Sequence, residues 1–475
     1  MMARALLSGA TALALTACSV APPVAGLPPP PVPASWPVGD AYLVQSEAAL
    51  PNVSYTQVFA DPRLQKLVAT ALVENRDLRV AAANLAAARA QVRVTRSAQF
   101  PQVGVDGSVD VSRSGSDGSG ASTGSGSGGG SGSGTRTTYS VQGGVASYEL
   151  DLFGRLASAT EAERERALAT EAFARTVRIG IVADIATAWA TYAADRDLLA
   201  IAEQTAQNAR ESVRLTDLRL KGGIAPRTDL AQAQQVLAAA EIAIAEQKTA
   251  LAQDRNLLRL LVGREFDAAL LPSSIEEIAP TFAALPVGLD SAILLRRPDV
   301  IEAEYRLRAA GADIATARAA LFPSLSLTGL LGLASTALTD LFTGGAFRLS
   351  AGAGVGYTIF DAGGRRARVE VTEAQRDAAL ASYEGTIQTA FREVSDALAE
   401  QGTLGDRSRA ARNNVAAAAT SARLTDARYR NGVDSFLDSL IAQRSLFAAR
   451  QQLISIRLAE LQNRVTIYRA LGPSE

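Results

Sequence analysis

The chain contains nearly the same stretch twice, as "RLTDLRLKGGIAPRTDLAQAQ" over residues 214–234 and as "RLTDARYRNGVDSFLDSLIAQ" over residues 423–443. Each copy has helix-forming residues, then a glycine (Gly223 or Gly432), then an aspartate six residues later (Asp229 or Asp438), then more helix-forming residues. Glycine commonly ends a helix because it accepts the left-handed backbone conformation. Each copy therefore predicts an elbow that reverses the chain between two helices.

The elbows belong to two copies of a larger unit. The stretch "NRDLRVAAANLAAARAQVRVTRSAQFPQ" (residues 75–102) has the same plan as "RRPDVIEAEYRLRAAGADIATARAALFPS" (residues 296–324). In both halves the periodicity predicts helix, strand, loop, strand, long helix, elbow and helix. A repeat of about two hundred residues is a duplicated domain rather than a short solenoid repeat.

Between the helices the hydrophobic pattern changes to a period of two. Val103, Val105, Val109 and Val111 alternate with polar or glycine residues, and the later segments continue this alternation, with an irregularity predicted near Val145. Segments of roughly ten residues with one apolar face have the length and pattern of tilted transmembrane β-strands. The alternative is a soluble sandwich of two short-stranded sheets.

The number of predicted strands bears on how a membrane barrel could close. Four strands per chain are too few, because single-chain barrels begin at about eight strands and lipid does not tolerate exposed strand edges. Several copies would have to contribute to one sheet. Two copies would leave a filled interior, whereas three copies would leave room for an aqueous pore.

The N-terminal sequence has the features of a targeting signal. Arg4 is followed by an apolar run too short to span a bilayer, and then by Leu15-Thr16-Ala17-Cys18, which resembles a bacterial lipobox with Cys18 as the acylated residue. The alternative is an ordinary signal peptide with an incidental cysteine. Ser19 after the cysteine favours sorting to the outer membrane. Residues 21–37 are proline-rich and predict an extended tether.

Composition excludes most enzyme mechanisms. The 475 residues carry a net charge of −1, no histidine, one cysteine and two methionines, both at the start of the chain. Once the signal peptide is removed and Cys18 is acylated, the chain would have no imidazole base and no soft metal ligand. Its near-zero net charge gives no strong positive field to attract nucleic acid. We predict no enzyme, catalytic residue, cofactor or metal site. A periplasmic coiled-coil scaffold and an envelope hydrolase acting through paired carboxylates are the alternatives from other functional classes.

The predicted segments have defined boundaries. They are a lipoprotein signal peptide (1–17), a lipidated N-terminus with the tether (18–60), a first repeat (61–262), a connector (263–289) and a second repeat (290–472). In the first repeat a helix precedes strand 100–112, extracellular loop 113–136, strand 137–152 and a long helical hairpin over 154–262. In the second, a helix precedes strand 323–334, loop 335–346, strand 347–360 and a hairpin over 362–472.

Several ungapped blocks carry a resemblance to a known family. They include "YELDLFGRL", "LLRRPDVIEAE", "AARAALFPSLSLTG", "IQTAFREVSDALA" and "RYRNGVDSFLDSLIAQRSLF". With them the chain resembles the TolC/OprM family of outer-membrane efflux channels, most closely its lipoprotein branch. The resemblance implies an α+β membrane protein: a trimeric twelve-stranded outer-membrane β-barrel with four strands per chain, continued by a long α-helical coiled-coil periplasmic tunnel, with internal duplication.

The resemblance also implies function and partners. The function would be the outer-membrane channel of a tripartite efflux system, a passive exit duct gated at its periplasmic tip. A type I protein secretion duct is the alternative within the family. The implied partners are two further copies of the chain, a periplasmic adaptor, an inner-membrane pump of the RND type and outer-membrane lipid.

The elbows would then be the periplasmic tips of the tunnel. The implied gate residues are Asp229, Asp438, Leu437, Tyr429 and Asp434, and the implied adaptor-docking residues at the hairpin tips are Gly222, Gly223, Gly432 and Val433. The sequence departs from the family where a latch arginine is replaced by Asp434 and a second acidic position by Ile441, so Arg227, Arg428 or Arg430 could substitute in the latch. As an alternative, the two elbow aspartates only cap the returning helices.

Overall fold

A computed structural model of the chain describes residues 32–33, 35–37, 39–42, 54–113, 135–284 and 291–472. The signal peptide, Cys18 and most of the predicted loop 113–136 lie outside the described residues. None of the helices within these ranges is long and apolar enough to span a bilayer.

The same order of elements occurs twice. The helices are α1 (Tyr55–Val58), α2 (Pro62–Glu74), α3 (Arg76–Ser97), α4 (Arg155–Lys221), α5 (Arg227–Val262), α6 (Ile275–Ile278), α7 (Pro298–Ala319), α8 (Gly364–Arg430) and α9 (Phe436–Leu471). The strands are β1 (Val103–Arg113), β2 (Thr135–Leu150), β3 (Ser324–Ser335) and β4 (Phe347–Gly356). Helices α4 and α8 each have 67 residues, and α5 and α9 each have 36, so the two hairpins are equal in length.

The chain forms two compact units, and the first contains the sheet. This unit includes residues 87–167 and 305–380. Its strands pair antiparallel in the order β1-β2-β3-β4, which leaves β1 and β4 as the edges. The register places Val105 opposite Gly143, Gly143 opposite Leu331 and Leu331 opposite Leu349. Because directly opposed residues share a face, the apolar residues of all four strands form one continuous face.

The predicted irregularity near Val145 is confirmed. The pairing of β2 with β3 shifts between Val145 and Tyr148. Just before the shift, Gly144 has φ of 143°, and a Cβ there would lie 2.2 Å from the carbonyl oxygen of Gly329. Only glycine fits this close approach of two strands, so the irregularity is built into the backbone.

Strand ends differ from the predicted boundaries. β4 ends at Gly356 instead of residue 360, because the Arg365 guanidinium binds the Thr358 carbonyl and the Asp361 carboxylate accepts hydrogen bonds from the backbone at Gly363 and Arg365. These contacts start the next helix and remove the segment from the ladder.

β1 begins at Val103 instead of residue 100, because residues 97–100 form a turn in which the Phe100 N–H donates to the Ser97 carbonyl. β2 covers Thr135–Leu150 instead of 137–152.

The second unit contains the hairpin ends and an aromatic core. In its described part it takes residues within 29–86, 168–304 and 381–475. Phe59, Phe282 and Trp189 are fully buried, with ring centroids of Phe59 and Phe282 5.3 Å apart. The Trp189 indole N–H donates to the Leu270 carbonyl at 2.9 Å, which ties the connector to α4.

The first predicted helix, starting at residue 61, is broken at Asn75. The Asn75 carboxamide oxygen accepts hydrogen bonds from the backbone N–H groups of Asp77 and Leu78, and so starts α3 as an N-cap. Its amide donates to the Leu261 carbonyl at 2.7 Å. A single asparagine therefore both interrupts the helix and fastens it to the end of α5.

Candidate functional site: the tips of the two helical hairpins

The first tip (residues 218–229) closes with a glycine turn. The Ile224 N–H donates to the Arg219 carbonyl at 3.0 Å, and the Gly223 N–H donates to the Leu220 carbonyl at 3.0 Å. Gly223 has φ of 75°, which favours glycine. Helix α5 then begins after Pro226, which has no side chain able to accept a capping hydrogen bond.

The second tip (residues 427–438) repeats this backbone. The Val433 N–H donates to the Arg428 carbonyl at 2.9 Å, and the Gly432 N–H donates to the Tyr429 carbonyl at 3.0 Å. Gly432 also has φ of 75°. The two tips therefore have the same turn geometry, as the repeated sequence predicts.

Each tip also carries an equivalent ion pair on the incoming helix. Lys221 pairs with Asp217 at 2.7 Å at the end of α4, and Arg430 pairs with Asp426 at 2.9 Å at the end of α8. Both pairs span one helical turn and are largely exposed, so each contributes only about 0.5 kcal/mol. They brace the last turn of each incoming helix.

A small hydrophobic cluster joins the two hairpins. Phe436 and Leu440 of α9 are buried with Ala209 of α4 and with Ala233 and Val236 of α5. Tyr429 packs against this cluster, its ring 5.3 Å from that of Phe436. Alanine on the first hairpin provides the space that the aromatic ring of the second occupies.

A cation–π contact beside this cluster also links the hairpins. The Arg219 guanidinium carbon lies 4.4 Å from the centroid of the Tyr429 ring, and its Nη2 donates to the Arg430 carbonyl at 3.3 Å. The Tyr429 hydroxyl is buried and has no hydrogen-bond partner among the described residues. The ring of Tyr429, rather than its hydroxyl, therefore makes the contact between hairpins.

Asp434 forms an ion pair within the second tip. The Arg428 Nε lies 2.7 Å from its carboxylate, and this hydrogen bond lowers the pKa of Asp434 below its usual value. The equivalent position in the first tip is Ala225, so the first tip has no such pair. Of the arginines predicted as latch substitutes, Arg428 and Arg430 pair with acids of their own hairpin.

Sequence reasoning missed Arg219, the arginine that contacts Tyr429. A signal was available, because Arg219 occupies the same position in the first repeat as Arg428 does in the second. The partner of Arg219 was not readable, since it lies on the other hairpin.

The two elbow aspartates lie in the first turns of the returning helices. Asp229 and Asp438 are each the third helical residue, and the N-cap residues are Pro226 and Ser435. The Ser435 hydroxyl accepts from the Asp438 N–H at 3.2 Å, and its oxygen lies 2.6 Å from the Asp438 carboxylate. Asp438 therefore takes part in a capping arrangement with Ser435, and both aspartates face the positive end of a helix dipole.

Apolar side chains are exposed at the end of each tip. Ile224 is 76% exposed and Val433 is 64% exposed, and Leu437 and Ile441 are about half exposed. Such residues next to a glycine turn form a small apolar surface at each elbow.

Within the described residues there is no group of three or more His, Cys, Asp or Glu side chains placed to hold a metal ion.

Comparisons with known proteins identify the class of protein. The family model described as outer membrane efflux protein matches residues 67–264 and 289–473. The chain is 42% identical over 99% of its length to the antibiotic efflux pump outer membrane protein ArpC of Pseudomonas putida, and covers 96% of that protein. It is 36% identical to the cation efflux system protein CusC of Escherichia coli, over 98% of each chain.

The solved structures agree. A crystal structure of CusC, from work on its folding and transmembrane channel formation, has a TM-score of 0.81 to this chain. The two sequences are 34% identical, and the match covers 94% of this chain and 100% of that one. The chain belongs to the outer membrane efflux protein family. The predicted family is thereby confirmed.

Proposed function

We propose that the protein is the outer-membrane channel of a tripartite efflux system, a passive exit duct for small molecules across the periplasm and outer membrane. The observation that carries this proposal is the four-stranded sheet, which has one continuous apolar face and two edges that no other described segment of the chain pairs with. Two relatives that align over nearly the whole chain are named as an antibiotic efflux pump outer membrane protein and a cation efflux system protein, which supports the same function.

Three copies would close their sheets into one barrel. Unpaired strand edges are costly in lipid, so β4 of each copy pairs with β1 of the next and leaves no edge. Three copies supply twelve strands and enclose an aqueous pore, with the apolar face toward lipid and the polar face toward the pore. Cys18, outside the described residues, would carry the lipid anchor.

The hairpin tips would be the gate and the docking surface. Arg219 on Tyr429 holds the two hairpins of one copy together, and the Arg428–Asp434 pair stiffens the second tip. Asp229 and Asp438 from three copies would line the opening, with Leu437 as an apolar collar. The exposed Ile224 and Val433, beside the turns at Gly222, Gly223 and Gly432, offer apolar contacts to a periplasmic adaptor that joins the channel to an inner-membrane pump of the RND type.

The test is conductance and assembly of the full-length protein. We expect the purified chain to have the mass of three copies in detergent and to conduct ions in planar bilayers. In cells that lack their own channel, it should lower the accumulation of a fluorescent dye when expressed with a matching adaptor and pump. A trimer that never conducts would refute the channel and favour a structural scaffold.

A further inference from the structure

The polar face of the sheet carries charges on both edge strands. β1 places Asp106 and Asp110 on this face, and β4 places Arg348 on it. Arg348 lies opposite Gly332 on β3, its only neighbouring strand in the described residues, and the flanking residues Leu330 and Ala334 are uncharged. The sheet of one copy therefore offers Arg348 no acidic cross-strand neighbour.

This inference rests on the proposed trimer, in which the free edge of β4 pairs with β1 of the next copy. Neighbouring strands are antiparallel throughout the sheet, so β1 and β4 run in opposite directions. The pairing between copies is therefore also antiparallel, and the side chains on its polar side face the pore.

Strand tilt sets which residues meet across this seam. A row of directly opposed residues runs from strand to strand around the barrel. Because barrel strands tilt by about 35–45°, this row moves along the strands by about four to six residues over four strands. The direction of the shift is visible within one copy. The row from Val103, the first residue of β1, reaches Ala351, well before the end of β4 at Gly356. Continued by one strand, Ala351 faces about residue 107–109 of the next copy, and Arg348 faces about residue 110–112.

We propose that Arg348 of one copy pairs with Asp110 of the next copy on the pore side of each seam. Asp110 is the acid on the polar face within this range, directly opposite Arg348 or one diagonal step away. Its carboxylate accepts from the Ser108 hydroxyl at 2.9 Å, and Arg136 is its diagonal neighbour within the chain. The seam would thus place Asp110 between two cations.

The ion pair would help to fix the register between β4 of one copy and β1 of the next. A slip of two residues keeps the apolar face toward lipid but moves Arg348 by about 7 Å along β1, so hydrophobicity alone does not exclude it. Loss of the ion pair disfavours that slip. Asp106 is a matched control, because it lies on the same strand and face but about 13 Å from Asp110.

Cross-linking in the full-length chain tests the register. Arg348→Cys is combined in turn with Asp106→Cys, Ser108→Cys, Asp110→Cys and Ser112→Cys, and the oxidised protein is run under denaturing, non-reducing conditions. Only directly opposed residues have Cα atoms within the range of a disulfide, about 4.4–6.8 Å. We expect a covalent oligomer with Asp110→Cys or Ser112→Cys and none with Asp106→Cys.

Other outcomes separate this inference from the proposed function. A cross-link strongest at Asp106→Cys or Ser108→Cys, or none in a trimeric preparation, would overturn the pairing but leave the channel intact. A chain that stays monomeric would overturn the proposed function and the seam together.

Charge exchange tests the ion pair itself. Arg348→Asp should lower the temperature at which the trimer dissociates, and adding Asp110→Arg should restore it, whereas adding Asp106→Arg should not. In bilayers, Arg348→Gln should shift permeability toward cations and Asp110→Asn toward anions, because each leaves a ring of like charges in the pore wall. Equal rescue by both arginines would reduce the effect to net charge and refute the specific pair.

Discussion

Removing the Arg219 side chain should open the channel. Its guanidinium lies 4.4 Å from the Tyr429 ring centroid, a cation–π contact worth about 1 kcal/mol at a partly exposed site. The 3.3 Å hydrogen bond to the Arg430 carbonyl is long and adds roughly 0.5 kcal/mol. For a contact made only in the closed channel, the loss over three copies is about 4.5 kcal/mol, which changes the ratio of open to closed channels by on the order of 1,000-fold.

Single-channel recording in planar bilayers measures this change directly. Arg219→Ala and Tyr429→Ala should both raise the open fraction strongly. Tyr429→Phe should leave it nearly unchanged, because the ring makes the contact and the buried hydroxyl has no partner among the described residues. Arg428→Ala is the matched control, since it removes the equivalent arginine of the other repeat and breaks a pair within one hairpin only.

A second substitution tests the same contact by competition. Ala225 occupies the position that Asp434 has in the other repeat, and the two tips share one turn geometry. Ala225→Asp should therefore draw Arg219 into a pair within its own tip, away from Tyr429, and open the channel. If Arg219→Ala and Ala225→Asp both left the open fraction unchanged while Arg428→Ala raised it, the contact between hairpins would not hold the closed state.

Three further predictions concern other parts of the chain. Asn75→Ala should destabilise the folded protein by about 2 kcal/mol, because it removes a helix cap and leaves the Leu261 carbonyl without its donor. The melting temperature should fall, and an unchanged value would contradict this prediction. Burial and the neighbouring Asp195 carboxylate raise the pKa of Asp254 to about 7, so the folded state holds a proton that the unfolded state releases near pH 4. Stability should therefore fall as pH rises from about 4 to 7, and Asp254→Asn should flatten that fall in thermal melts, whereas an undiminished slope would assign it to other groups. Asp438→Asn should weaken the block of the channel by divalent cations, because carboxylates that line the opening are ligands that such cations prefer. Trimer stability should change little, and Asp229→Asn should act in the same direction. Destabilised trimers with an intact block would mean that both aspartates act only at the helix termini.

The sequence predicts the elements that depend on local rules. Alternating valines and leucines predict strands, and the glycines at 223 and 432 predict elbows, because each pattern acts over a few residues. The break at Asn75 was missed because it depends on a carbonyl of α5, far along the chain. β4 was predicted too long for a different reason: Arg365, only seven residues further along, takes the Thr358 carbonyl from the ladder through its side chain. A hydrogen bond from one side chain to a backbone carbonyl in another segment leaves no periodic pattern to read.

The tips show how duplication with small changes divides one role between two residues. Arg219 and Arg428 occupy equivalent positions on equivalent helices, and their carbonyls make the same turn hydrogen bond. Arg428 is held within its own tip, because Asp434 lies six residues ahead of it. Arg219 has Ala225 at that distance, so its guanidinium reaches the ring of Tyr429 on the other hairpin. One acidic residue, present in one repeat and missing in the other, thus decides which arginine stiffens a tip and which joins the two hairpins.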